Sequence, residues 1–231
     1  MELITSETAA GAERAAAEFI ARHLVQAVQE RGRASFAISG GRSPWGMFDQ
    51  LAAQPVTWSA VHLFQVDERI APLDDEARNW TQLLASSLAR QVPPSNLHPM
   101  PVEIEGPEAA AGQYAATLAA WAGEPPVLDV VHLGIGADGH TASLFPGDSP
   151  LLETRRPVAV SRSYEGSRRL TMTLPVLNRA RCIVWFAVGS ARRSALTRLF
   201  AGDSAVPASL VGRDRATCFA DRDAVPAPSV S

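Results

Sequence analysis

The chain contains no lysine: all 21 of its basic residues are arginine. That absence excludes a Walker A lysine, a Schiff-base lysine and a pyridoxal phosphate anchor together. Any anion must then be held by arginines and backbone amides. Cysteine is nearly as scarce. Cys182 and Cys218 each lie in an apolar run that reads as a strand, so both are expected to be small buried hydrophobes and not a disulfide framework. No Cys/His spacing suits a metal. The formal net charge is only −3, and no basic stripe suggests a nucleic-acid partner. No apolar run is long enough to span a bilayer. Met1–Glu7 is acidic and lacks the cationic and apolar regions of a secretory signal, so the cytoplasm is the expected location. What is present is 231 residues at 46% hydrophobic content, enough for a single α/β domain over residues 1–231 with a well-buried core.

Helical and strand patterns alternate along the chain. The spacing predicts a long Ala-rich helix from Thr8 to about Gln29, a strand over Ala34–Ile38, a helix from Pro44 to about Ala53, and a strand over Val61–Val66. A helix from about Asn79 to Arg90 precedes a Pro-rich connector from Pro93 to Pro107. A helix to about Trp121 follows, then a strand at 129–133. The last third holds strands at 157–160, 169–173 and 182–188, a helix from Ala191 to Phe200, and a final strand near 216–219. Such alternation argues for a mostly parallel sheet covered on both faces by helices.

The segment Leu133-Gly-Ile-Gly-Ala-Asp-Gly-His-Thr-Ala-Ser-Leu-Phe-Pro-Gly147 carries the most information. It follows a buried strand, and the C-terminal edge of an open α/β sheet is where ligands bind. Gly134, Gly136 and Gly139 make a literal G-x-G-x-x-G. A dinucleotide site, however, needs a full helix next and an acid after the following strand. Pro146 and Gly147 stop any helix, and the next strand candidate ends in Ser161-Arg162, so no nicotinamide cofactor is expected. The glycines let backbone approach a ligand, Gly136 among them. His140 offers an imidazole, a group that titrates near working pH, with Asp138 two residues earlier. A direct bond between the two is not decided by spacing. The alternative is that His140 only caps a short helix beginning near Thr141.

Ser39-Gly-Gly-Arg-Ser-Pro44 is a strand, a Gly-rich turn and a helix N-terminus in succession. Unpaired amides and the helix dipole there favour an anion, with Ser39, Gly40, Gly41, Arg42 and Ser43 as contacts. Ser43 reads as the N-cap and Pro44 as the first helical residue. Val66-Asp67-Glu68-Arg69 either begins a solvated loop or lines the cleft. In the second case Arg69 clamps phosphate and Asp67 orients a hydroxyl or water. Arg168-Arg169 opens a later strand, and Gly189-Ser-Ala-Arg192-Arg193 repeats the layout of the first anion loop. His62 and His132 lie in strands and read as satisfied core histidines. His23 sits on the long helix and His98 in the connector.

Ser39–Pro44, Val66–Ile70 with Asn79, Leu133–Gly147 and Arg169–Arg181 together closely resemble the 6-phosphogluconolactonase family, from the first strand to near Asp221. The resemblance implies a Rossmann-like, three-layer α/β fold shared with glucosamine-6-phosphate deaminases and ribose-5-phosphate isomerases. It implies hydrolysis of 6-phospho-D-glucono-1,5-lactone to 6-phosphogluconate, the second step of the oxidative pentose phosphate pathway, with no cofactor or metal. His140 would act as general base, Asp138 would position it, Asp67 would be the alternative group to activate the water, and Arg69, Arg169 and Arg192 would hold phosphate with the Ser39–Ser43 turn. Three departures stand out. Arg42-Ser43 replaces the usual Ser-Thr of the phosphate turn, Arg78 replaces the serine before Asn79, and Arg192 stands where lysine is usual, a non-neutral exchange. The deaminase relatives carry a glutamate five residues after the histidine, where this chain has Phe145. A catalytically silent sugar-phosphate sensor would have no reason to keep His140 beside Asp138. No heptad seam appears, and a monomer is expected.

Overall fold

The computed structural model describes residues 1–41 and 43–225. The chain begins with β1 (Glu2–Ser6), α1 (Ala9–Arg31), β2 (Ala34–Ile38), α2 (Trp45–Ala52), β3 (Val61–Gln65) and β4 (Asp67–Arg69). The middle holds α3 (Asn79–Ala85), α4 (Ser87–Gln91), β5 (Leu97–His98), α5 (Pro107–Ala122) and β6 (Val130–Gly134). It ends with β7 (Val158–Val160), β8 (Arg169–Met172), α6 (Leu174–Arg179), β9 (Cys182–Ala187), α7 (Arg193–Ala201) and β10 (Ala216–Asp221).

Seven strands form one sheet in the order β1-β10-β9-β6-β2-β3-β5, every pair parallel. Because side chains alternate along a strand, Phe36 and Ile38 of β2 join the core shared with α1 to α4, while Ala37 faces the core of α5, α6 and α7. Apolar residues therefore run continuously through these strands. This is the expected three-layer, Rossmann-like α/β arrangement. α1 follows its sequence pattern closely: the Thr8 hydroxyl accepts from Gly11 N at 3.1 Å, Gly32 closes the helix at φ 75°, and Ala12, Ala16, Ile20, Leu24 and Ala27 form the buried stripe. Cys182 and Cys218 are free and buried, as expected.

Five expectations need correction. The strands near 157–160 and 169–173 do not join the main sheet but form a second, antiparallel one in the order β4-β8-β7. A parallel crossover needs a dozen or more residues, and the short 161–168 connection leaves only a hairpin. The charged run 67–69 is neither solvated nor a loop; it pairs with β8. The helix expected over 79–90 is two, broken where Ser86 turns extended and its hydroxyl accepts from Ala89 N at 3.2 Å, since serine competes with helical backbone bonds. Ser43 is not the cap of α2. That helix starts one residue late, with Pro44 O accepting from Phe48 N, and Ser43 lies outside the capping position. His98 lies in β5 and not in irregular connector, with its Nε2 3.0 Å from His62 Nδ1.

Candidate active site

The chain leaves β2 toward β3 on one side and leaves β6 toward β9 on the other, so the sheet reverses its winding between β2 and β6. Such a switch point opens a crevice at the strands' C-terminal ends. A cleft of about 430 Å³ lies there. It brings together Ser39, Gly40, Gly41 and Ser43 after β2, Asp67 and Arg69 of β4, and Gly136, Asp138 and His140 after β6. Arg169 of β8 and Arg192 after β9 complete the set. Arg42, expected with the first group, lies outside the described residues.

After β6 the backbone folds back on itself. Gly136 N donates to His140 O at 2.8 Å and Gly139 N to Gly136 O at 3.0 Å. Thr141 Oγ1 holds the Gly134 carbonyl at 2.9 Å. The segment from Thr141 on makes turns and no helix, so His140 caps nothing. Instead its Nδ1 lies 2.6 Å from Asp138 Oδ1, a direct bond that spacing had left open. The Tyr164 hydroxyl donates to Asp138 Oδ2 at 3.2 Å. Burial works against the Asp138 charge, but the His140 ring, the His140 N–H and Tyr164 outweigh it and hold the carboxyl below the usual range. An ionised carboxylate only accepts, so in the neutral ring His140 Nδ1 carries the proton and Nε2 the lone pair.

Asp67 is buried and engaged. Ser143 Oγ donates to its Oδ2 at 2.6 Å, and Asn79 Nδ2 donates to its carbonyl at 3.0 Å. Asn79 Oδ1 also accepts from Arg69 at 3.2 Å, and Arg69 NH1 reaches the Ala77 carbonyl. A Cβ on Gly40 would collide with the Asn79 amide, so the first turn closes directly over that side chain. Arg169 is buried, its guanidinium lying over Phe145 and Tyr164 at 5.3 and 5.5 Å. Its Nε has no hydrogen-bond partner among the described residues. His132 forms part of the cleft floor and is only half satisfied: Ser39 N approaches Nδ1 at 3.4 Å, and Nε2 lacks a partner among the described residues.

Sequence reasoning had put Asn79 in a motif without a role and had missed Ser143 and Tyr164. The signal for Asn79 was its place in the motif that follows the charged run 67–69. For Tyr164 there was none, since its partner lies on a different sheet's loop. Chemically, the cleft offers a carboxylate-held imidazole at one wall, and arginines and glycine-turn amides around it.

The family model described as glucosamine-6-phosphate isomerases/6-phosphogluconolactonase matches residues 7–219. A 6-phosphogluconolactonase of Synechocystis sp. is 36% identical over 190 residues, covering 80% of this chain and 79% of that protein. One from Mycobacterium leprae is 36% identical over 226 residues, 91% of each chain. The crystal structure of a 6-phosphogluconolactonase from Shewanella baltica superposes with a TM-score of 0.85 at 26% identity, over 96% of this chain and 97% of that one. The chain belongs to the glucosamine-6-phosphate isomerase/6-phosphogluconolactonase family.

Proposed function

We propose that this chain carries out the 6-phosphogluconolactonase reaction of its relatives with His140 as general base, converting 6-phospho-D-glucono-1,5-lactone to 6-phosphogluconate. The observation that carries this is the His140–Asp138 bond at 2.6 Å on the wall of an arginine-rich cleft. His140 Nε2 takes a proton from water as the water oxygen adds to the C1 carbonyl. The C1–ring oxygen bond then breaks, and the imidazolium returns its proton to the departing oxygen. Of the turn's amides, those of Gly136 and Gly139 are already bonded within it. That leaves Ala137 N and Asp138 N to meet the developing oxyanion. Phe145 fills the place where a deaminase needs a carboxylate, and its ring stacks on Tyr164 at 3.9 Å, so the lactone reading is preferred. Asp67 is held by Ser143 and Asn79 and supports the site. The proposed enzyme is a monomer and works in the cytoplasm, at a step of the oxidative pentose phosphate pathway.

His140→Asn keeps a polar side chain and removes the base. Loss of general-base catalysis should cost on the order of 10²–10⁴ in kcat with folding intact, measured as lactone disappearance above the spontaneous rate with a chelator present. Near-normal kcat would overturn the assignment. The phosphate end falls to the Ser39–Ser43 turn with Arg69, Arg169 and Arg192. Arg69→Ala should therefore lower kcat/KM far more for the phosphorylated lactone than for plain gluconolactone, because remote binding energy orients the substrate. Equal losses on both substrates would place Arg69 away from the phosphate.

A further inference from the structure

We propose that Tyr164 is a positioning residue for the His140–Asp138 pair, fixing the carboxylate from its far side and moderating its pull on the imidazole; this rests on His140 as the base. Asp138 is held at both oxygens. Oδ1 takes His140 Nδ1 at 2.6 Å and His140 N at 3.2 Å, while Oδ2 takes the Tyr164 hydroxyl at 3.2 Å. A carboxylate tied at one oxygen can still rotate about its terminal bond, which has broad wells. Tied at both, it keeps Oδ1 on the imidazole.

Tyr164 is itself well anchored. Its ring stacks on Phe145 with 11° between planes, and Arg169 lies over both rings. Its backbone exchanges two hydrogen bonds with Ser167, at 3.0 and 3.3 Å, around a tip where Glu165 takes φ 50°. This hairpin joins β7 to β8. The hydroxyl therefore ties the small antiparallel sheet to the loop after β6 of the main one.

The consequence is electrostatic as well as geometric. A hydroxyl on Oδ2 draws off part of the Asp138 charge, so the imidazolium is stabilised less and returns its proton more readily to the ring oxygen. The charged groups facing this pair are Glu165 on the hairpin, Arg169 on β8, Asp67 and Arg69 on β4, and Arg192 after β9. Among the described residues, the side chains bonded to Asp138 are those of His140 and Tyr164.

Tyr164→Phe removes the hydroxyl and keeps the stack. Expected are a fall in kcat of about tenfold, the scale of one hydrogen bond to a charged group, an unchanged KM and an unchanged melting temperature. The acidic limb of the kcat/KM profile should move to higher pH, because an uncompensated carboxylate holds the imidazolium more tightly. An unmoved limb overturns the proposal, whether or not kcat falls. On an Asp138→Ala background Tyr164→Phe should cost nothing more, and losses that multiply also overturn it. A near-normal His140→Asn variant takes down this inference and the general-base reading together. An inactive one beside an unmoved limb in Tyr164→Phe fails this inference alone.

Discussion

Gly136 shows how one missing methyl decides the site. Its backbone lies outside the left-handed region, so alanine can adopt the conformation. The obstacle is space: a Cβ there would run into His140 Nδ1 and stand 2.7 Å from Asp138 Oδ1. The sequence suggests that this glycine admits a ligand; the structure adds that it makes room for the His140–Asp138 pair itself. Gly136→Ala should displace the imidazole by a fraction of an ångström to an ångström, a shift that can cost on the order of 10² in kcat. The melting temperature should hardly change. A variant that loses stability and keeps kcat would put the cost in the fold instead. Asp138, His140, Arg69 and the Ser39–Ser43 turn were legible because each sits in a short motif directly after a strand. Ser143 and Tyr164 were not, since their partners lie 76 and 26 residues away and only the packing of two sheets brings them together.

At the level of elements, the main sheet was legible and the small one was not. Continuous apolar runs specify buried parallel strands whatever their neighbours, whereas β4 is a run of three charged residues that becomes a strand only because β8 pairs with it. What keeps β4 buried is Glu68. Its carboxylate accepts from Gln65 Nε2, Arg69 N, Asn79 N and Trp80 N, at 2.8 to 2.9 Å, so it closes the N-terminus of α3 from the adjacent sheet. Burial pushes its pKa up against those four bonds. Arg78, wholly buried where the family resemblance implies serine, lies 3.6 Å from it and pairs outward with Glu103. The arginine is thus a local compensation for a buried acid, a role its sequence position did not reveal. Glu68→Gln would set a second donor against these donors and leave Glu103 as the acidic partner of Arg78 among the described residues. Breaking a buried pair from one side costs about 3–5 kcal/mol, read as a lower denaturant midpoint. Because Asn79 follows the carboxylate and holds both Asp67 and Arg69, KM for the phosphorylated lactone should rise as well. A variant of wild-type stability would show that Glu103 alone suffices as the acid beside Arg78.

Across the whole molecule, the five histidines divide into His140 at the cleft wall, three in the sheet, and His23 on α1. Burial lowers His62, helped by Arg33, pulls His98 down to about 4 with His62 adding to the effect, and takes His132 down to about 3. In the unfolded chain each would take a proton near the ordinary imidazole value of about 6.5. Below that value the unfolded state binds more protons than the folded one, so stability falls as pH falls, and the loss continues until the folded groups titrate. The contribution is fully present above about pH 6.5 and is lost mainly between there and about pH 4. Carboxylates held low in the folded state, such as Asp138, act in a more acidic window. The denaturant midpoint should therefore drop between about pH 7 and pH 5, before carboxylate protonation contributes. His98→Gln keeps a polar partner for His62 and cannot take a proton, so that drop should shrink, while the acidic limb of activity, which the proposed mechanism assigns to His140, stays where it is. A drop of undiminished size would remove His98 from the acid response of the fold, and a shifted activity limb would couple the supporting histidines to the working one.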